Sequence, residues 1–395
     1  MKNLVLTFCL LFLFFGFSSC NHHKYTIDGE ILPIDSAIVI NIDLSSDTIY
    51  FSHHIKEIEI VPLESKEDAI IGSINSIKYA DNMFFILDYR GRQIYTFDRF
   101  GKFRGLLSHN GRGPGEYLRP MSICIDKSNK QVVIVDNNKH LRYYDYDGHY
   151  LSTKDFDFTA HDFEMTPNSY CFYTSKSVNF KPGYEDYYGA ELSLVKQKKL
   201  SSISRYIPVN KNLYPIDEGH LTIEEKVPFS SLSDSYTFHY NFTDYIYSID
   251  KKTDEVSIKY VVDFGKNAYK DNLWDMGAME ALDYISEHPK KAGFVHTVVE
   301  TDSLLMFKYS TNKTEQAYMF NKNSKESVTG PYVNDVFRGV YDLRGAIDDM
   351  TFFYIVEDPS SFIINDRCSV PIKGKEVLKG MTKSDNPLIA IVSFK

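Results

Sequence analysis

The sequence predicts an all-β protein, a six-bladed β-propeller whose ring is closed by pairing of N- and C-terminal strands. Three observations predict it: a strand-and-turn unit that recurs along the chain, apolar alternation of period two inside that unit, and an aromatic content of 15% carried by 29 Tyr and 28 Phe. Aromatic and β-branched residues suit a pleated, half-buried surface, so the composition leans to strands.

The recurring unit is legible residue by residue. Met83-Phe-Phe-Ile-Leu-Asp88, Gln93-Ile-Tyr-Thr-Phe-Asp98 and Gly101-Lys-Phe103 are matched by Gln131-Val-Val-Ile-Val-Asp136, His140-Leu-Arg-Tyr-Tyr-Asp145 and Gly148-His-Tyr150, offset by about 48 residues. The middle element returns at Tyr245-Ile-Tyr-Ser-Ile-Asp250 and, more weakly, at Ala317-Tyr-Met-Phe-Asn321. Each unit holds short strands ended by Asp, with Asp and Gly supplying the dihedrals of tight reversals. Four such strands make one small sheet that cannot bury both faces alone, so copies must stack on one another. Radial stacking does this and shields most strand edges.

Taken in order, blade one is expected over residues 74–108, blade two over 121–156, and blade three over 161–209, stretched by a Tyr-rich loop at 178–188. Blade four follows over 228–264 and blade five over 294–333. The last blade takes 340–347, 350–356 and 387–394, one strand short. The alternating run Ile55-Lys-Glu-Ile-Glu-Ile-Val-Pro-Leu63 has no blade of its own. It is expected to supply the missing outer strand, because deleting either terminus would then leave a raw edge. Between blades four and five, residues 270–291 show apolar i, i+3, i+4 spacing around Leu273, Trp274, Met276 and Tyr284, which reads as a short helical insertion ending at His288-Pro289.

The first twenty residues read as an export signal. Lys2 precedes an apolar run from Leu4 to Phe17, too short for a membrane span, and Phe17-Ser18-Ser19-Cys20 resembles a bacterial lipobox. Acylation of Cys20 would hold the protein at a membrane surface. Residues 21–54 then read as tether and lead-in, and 55–395 as the propeller. No later segment is long and apolar enough to span a bilayer. Net charge of −9 argues against nucleic acid as partner, since phosphate binding needs a basic surface. Cys124, Cys171 and Cys368 make neither a disulfide framework nor a metal site. The first two read as buried small hydrophobes, and one disulfide among the three stays open.

The segment Gly111-Arg-Gly-Pro-Gly-Glu-Tyr117, with the strands Ile123-Cys-Ile-Asp126 and Val133-Ile-Val-Asp136, resembles NHL-type propeller repeats. The chain as a whole is similar to the six-bladed β-propeller lipoproteins of Bacteroides and its relatives. Ile60-Val-Pro-Leu-Glu64, Ile71-Gly-Ser-Ile74, Asp385-Asn-Pro-Leu388 and Ser393-Phe-Lys395 fit that pattern. The resemblance implies the fold and a cell-envelope location, and transfers no catalytic residue. Asn21-His-His-Lys24 stands where surface-displayed members often carry acidic residues, which leaves both the cell surface and the periplasmic face open.

For chemistry, the loop around His109, Arg112, Glu116, Tyr117 and Arg119 is the local candidate. Three glycines bring backbone N–H groups near its surface, and two Arg could hold a carboxylate or sugar acid through charge-assisted hydrogen bonds. The competing reading of the same residues is turn geometry, with Glu116 capping or pairing with Arg112. The loop Tyr184-Glu-Asp-Tyr-Tyr188 and the Trp274 insertion are alternatives for stacking on sugars. The pairs His22-His23 and His53-His54 lack nearby ligands at metal spacing, and no metal or cofactor is expected. No nucleophile elbow, His-Glu-x-x-His or Cys-x-x-Cys occurs.

The expected function is therefore that of an exported, non-enzymatic binding or scaffolding lipoprotein for a glycan, peptide or envelope protein. The alternative is a propeller hydrolase or lyase acting on an extracellular polymer, with channel-mouth His, Tyr and Glu as acid and base.

Overall fold

The computed structural model describes residues 25–395 except 28–29, 45, 108–109, 138, 156–159, 175–178, 181–186, 209–224, 241–242, 271–272, 274–275, 277 and 312–313. The signal segment with Cys20, the pair His22-His23, and His109, Tyr184 and Trp274 lie outside the described residues.

Six antiparallel sheets surround an axis, each with its first-named strand innermost. Blade 1 is Ile74–Ala80, Met83–Asp88, Gln93–Asp98 and Phe103–Leu106; blade 2 is Pro120–Asp126, Gln131–Asp136, His140–Asp145 and Tyr150–Asp155. Blade 3 is Asp162–Met165, Ser169–Tyr173, Tyr187–Lys196 and Ile203–Pro208. Blade 4 is Phe229–Ser231, Ser235–Phe238, Tyr245–Asp250 and Val256–Asp263; blade 5 is Ala292–Glu300, Leu304–Thr311, Glu315–Asn321 and Glu326–Val333. Blade 6 combines Asp342–Asp348, Thr351–Val356 and Leu388–Phe394 with Ile55–Pro62 from the other end of the chain.

The period-two pattern explains the stacking. Successive side chains on a strand point to opposite faces. In blade 1, Phe84 and Ile86 pack toward blade 6, against Phe353, Ile355 and Ile389. Phe85 and Leu87 on the same strand pack toward blade 2, against Ile123, Val132 and Ile134. Each of these four residues is fully buried, worth about 1.5–3 kcal/mol apiece relative to exposure. A sheet apolar on both faces needs a neighbour on each side, and a closed ring supplies them.

The recurring Asp has a defined task. Asp98 Oδ1 accepts hydrogen bonds from the backbone N–H of Phe100 and Lys102, and Asp145 Oδ1 from Asp147 and His149. Asp250 Oδ1 accepts from Lys252 and Thr253, and Asn321 Oδ1 from Asn323 and Ser324. In all four, a side-chain oxygen closes the hairpin that follows the third strand. The weaker copy ending in Asn321 is thus the same turn with an amide oxygen in place of a carboxylate. Gly101 and Gly148 adopt φ of 79° and 88° in two of these turns, a region that favours glycine.

The ring closes as the alternation at 55–63 predicts: Ile55–Pro62 runs antiparallel to Leu388–Phe394, from Pro62 opposite Leu388 to Ile55 opposite Phe394. The stretch read as tether and lead-in contributes further edge strands. Tyr25–Ile27, Ile38–Asn41 and Ile49–Tyr50 add in parallel to blades 3, 4 and 5 respectively. The N-terminal segment therefore passes along the rims of three blades before completing the fourth it meets. This pairs backbone groups that sheet edges would otherwise expose. The helical insertion is Ala278–Glu287, whose Ala281 and Tyr284 pack with Leu273, Tyr269 and Phe294. No helix among the described residues is long and apolar enough to cross a membrane.

Candidate functional site

The six innermost strands run side by side and enclose a central channel with a cavity of about 790 Å³. That volume falls within the usual range for ligand-holding clefts. Its lining comes from the later half of the innermost strands and the turns that follow them, including Ser76–Tyr79, Ile125–Asn129, Val299–Asp302 and Arg344–Asp349. The channel therefore opens on the face where first strand turns into second.

Charge is arranged on its walls in ion-paired groups. Lys78 of blade 1 reaches across blade 2 to blade 3, with Nζ 3.3 Å from Asp162 Oδ2 and 2.9 Å from Glu164 Oε1. Ser122 of blade 2 donates to Asp162 Oδ1 at 2.6 Å, and the Cys124 thiol lies 3.4 Å from Glu164 Oε2. Burial alone would push the Lys78 ammonium toward neutrality, but the Asp162 and Glu164 carboxylates outweigh it and hold it protonated, its pKa well above the usual lysine value. On blade 5, Glu300 is 1% exposed. It accepts from Lys259 at 2.9 Å, Lys322 at 2.6 Å, the Tyr260 hydroxyl at 2.8 Å and Thr237 Oγ1. Burial opposes its ionisation, yet the two ammonium groups prevail and keep its pKa below the usual carboxylate range.

A third group spans blades 4 and 6. Lys226, which precedes blade 4, lies 2.6 Å from Asp342 Oδ2 of blade 6, and Arg344 Nη2 is 3.5 Å from the same oxygen. At the mouth, the acidic groups are used by the turns. Asp126 accepts from the Asn129 N–H and Asp302 from the Ser233 N–H, while Asp348 accepts from the Met350 N–H.

The glycine-rich loop sits elsewhere. It precedes the strand Pro120–Asp126, whereas the channel mouth is formed at that strand's far end, about 20 Å away at the usual rise per residue. Within it, Glu116 Oε2 accepts from the Gly113 N–H at 2.7 Å rather than meeting Arg112. A Cβ at Gly111 would fall 2.0 Å from Glu116 Oε2, so a side chain there would have to displace the Glu116 carboxylate. Tyr117 is fully buried; its hydroxyl accepts from the Ile94 N–H at 3.1 Å and lies 3.3 Å from Gln93 Oε1. Arg119 stacks over the Tyr89 ring at 4.7 Å, and Arg112 is exposed. The loop's residues thus divide: Glu116 and Tyr117 fix its own geometry, and Arg112 remains at its surface.

Among the described residues Cys124, Cys171 and Cys368 are free thiols; Cys124 and Cys171 are buried in strands, and burial pushes both thiols up. His239 and Glu225 form a buried pair, with His239 Nδ1 3.4 Å from Glu225 Oε2, but neither lines the channel. Asp145, Asp147 and His149 cluster at an exposed turn, where His149 Nδ1 is already 2.8 Å from Asp145 Oδ2. Sequence reasoning missed the channel groups because their members come from different blades. Lys78 is separated from Asp162 and Glu164 by 84 and 86 positions, and no local motif marks such a set.

Comparison with known proteins agrees with the architecture. A crystal structure of a Bacteroides fragilis protein assigned as exported superposes with a TM-score of 0.68 at 15% identity, covering 91% of this chain and all (100%) of that one. A member of the DUF4221 family from Bacteroides vulgatus gives 0.46 at 9% identity, covering 86% of this chain and 98% of its own. No curated protein matches the sequence. A family model does match across nearly the whole propeller, residues 37–393, and the chain belongs to that family, described as Domain of unknown function (DUF4934).

Proposed function

We propose that this protein is an exported lipoprotein, anchored through Cys20, that acts as a non-enzymatic binding propeller and takes a polar segment of a peptide or glycan into its central channel. The observation that carries the reading is the channel itself: a cavity of about 790 Å³ whose walls present charges already held in their ionised forms. Fixed charges orient a polar ligand without reorganising. Acid–base catalysis asks for the opposite, a group whose pKa lies near the working pH. Glu300 is held ionised and Lys78 protonated, so neither suits the hydrolase or lyase alternative. Among the described residues, no histidine lines the cavity. Export and anchoring rest on the signal-like run and the lipobox-like Phe17-Ser18-Ser19-Cys20.

The test is a screen of peptides and oligosaccharides against the chain from Asn21, repeated on two variants. Ser233→Trp places a bulky ring at the exposed channel mouth, and Arg112→Ala alters the distant loop. Binding should vanish in the first and persist in the second. Ligands that survive Ser233→Trp but not Arg112→Ala would move the site to the loop, and ligands returned cleaved would overturn the non-enzymatic reading. For the anchor, Cys20→Ala should release the protein from membranes.

A further inference from the structure

Sixteen large hydrophobic side chains are exposed among the described residues. Scattered singly, such residues need no explanation. Four of the sixteen, however, fall within nine consecutive positions: Ile31 at 83%, Ile34 at 47%, Ile38 at 60% and Val39 at 52% exposure. The covalent chain keeps them together. The Ala37 N–H donates to the Ile34 carbonyl at 2.9 Å, which folds residues 34–37 into a turn. Ile31 stands three positions before Ile34, within about 11 Å even if the chain is extended.

Both ends of this segment are fixed to the ring. The Glu30 N–H donates to the Arg205 carbonyl and the Ile207 N–H to the Glu30 carbonyl, on the outer strand of blade 3. Leu32 is buried with Ile207 and Phe229, and Ile38 pairs with Tyr260 on the outer strand of blade 4. The segment is thus an apolar band across the rim of two blades. Its strand Ile38–Asn41 is the last of its sheet and leaves a free edge. Free edges are commonly blunted by charge or proline. The bare outer strands of blades 1 and 2 carry Arg104 and Lys154, whereas Ile38-Val-Ile-Asn41 carries neither device.

The chain that precedes the band says what covers it. Only four residues separate Cys20 from Tyr25, where the strand on blade 3 begins, and five residue steps span at most about 18 Å. A lipid on Cys20 holds this rim within that distance of the bilayer surface. The opposite rim, where blades 6 and 1 meet, lies beyond two four-stranded blades, more than about 25 Å away at the usual strand spacing.

We propose that Ile31, Ile34, Ile38 and Val39 form a membrane-docking band that seats in the interfacial layer of the bilayer holding the Cys20 lipid. The propeller then sits edge-on, with blades 3 and 4 against the membrane. Residues 30–41 contain two charged side chains, Glu30 and Asp35, both acidic and both exposed. Arg205, next to the Glu30 partner Tyr206, offsets at most one of them. Headgroup charge therefore does not hold the band, and apolar burial must. This inference goes beyond the channel-binding reading and rests on the anchor at Cys20.

The test reconstitutes the membrane-extracted protein into vesicles of phosphatidylethanolamine and phosphatidylglycerol whose acyl chains carry bromine, a contact quencher of Trp emission. Ile31→Trp and Phe100→Trp each add one indole at an exposed position. The second stands beside Pro62 at the meeting of blades 6 and 1, with Phe100 71% exposed, and the parent protein supplies the Trp274 background. Ile31→Trp should lose about half or more of its added emission, as for a side chain seated about 5–10 Å into the headgroup and acyl boundary, while Phe100→Trp should keep most of its own. Adding Ile34→Asp to Ile31→Trp should cut the quenching by about twofold or more, because a charge opposes entry into the acyl layer. Equal quenching of the two indoles, or none at Ile31→Trp in protein that floats with the vesicles, would overturn the docking and leave the anchor standing. Quenching that grows with the phosphatidylglycerol share, or that ignores Ile34→Asp, would overturn it as well. Ile31→Trp emission that shifts to the blue without vesicles as protein concentration rises would give the band to a second copy instead. If the parent does not float, or Cys20→Ala stays on membranes, the anchor falls and the docking with it, while the channel reading keeps its own test.

Discussion

Val61 lies directly opposite Ile389 across the seam that joins the two ends of the chain. Both side chains are buried in the same cluster as Phe84 and Ile86 of blade 1. The pair therefore does two jobs: it completes blade 6 and presents that blade's apolar face to blade 1.

Ile389→Ala should destabilise the protein by about 2–5 kcal/mol, the usual cost of cutting a core isoleucine to alanine. Urea unfolding measures it. A loss below about 1 kcal/mol would mean that the seam is not a packed part of the ring.

The hairpin turns give a prediction with an internal control, since Asn321 performs the task of Asp98. Asp98→Asn should keep the melting temperature close to that of the parent apart from the loss of the Arg104 contact. Asp98→Ala removes the acceptor of two backbone N–H groups and should lower stability further, by about 1 kcal/mol. Equal stability of the two variants would discredit the side-chain closure of these turns.

Acid sensitivity should centre on Glu300. Its pKa is held below the ordinary value of 4.5 in the fold, so the unfolded chain binds its proton first as pH drops. The stabilisation from this carboxylate is therefore complete above that ordinary value and is lost as pH falls through the lower, folded one. Urea midpoints measured from pH 7 to pH 3 should decline at the acid end, and Glu300→Gln should flatten that decline while lowering stability near neutrality. An acid limb of unchanged slope in the variant would assign the effect to other groups.

Tyr117 and Arg112 occupy one loop but should respond differently. Tyr117→Phe strips a buried N–H of Ile94 of its acceptor, for a cost of about 1–3 kcal/mol. Arg112→Ala, at an exposed position, should fall within about 0.5 kcal/mol of the parent. Thermal melts of the two variants separate a structural loop from one whose surface alone matters.

The local features of this fold were legible because local forces set them. Alternation in Met83–Asp88 and Gln131–Asp136 assigns both faces of each strand, and an Asp followed by Gly at Asp98-Gly101 or Asp145-Gly148 suffices to turn the chain. The unpaired run at 55–63 could be assigned to the last blade because a ring with one strand missing has only one vacancy. The edge strands Ile38–Asn41 and Ile49–Tyr50 were less evident, being short segments whose pairing partners lie more than two hundred residues away.

The sequence by itself determined that small sheets repeat, that each is apolar on both faces, and that the termini must meet. Only the tertiary structure decided where charge gathers. Lys78 with Asp162 and Glu164, and Arg344 with Asp342 and Lys226, are drawn from separate blades and become neighbours when the innermost strands converge on the axis. Period and turn chemistry act over a few residues, whereas an ion pair across a channel depends on the angle at which whole sheets are set. That is why a glycine-rich loop stood out in the chain, while the charged channel became apparent only in the folded ring.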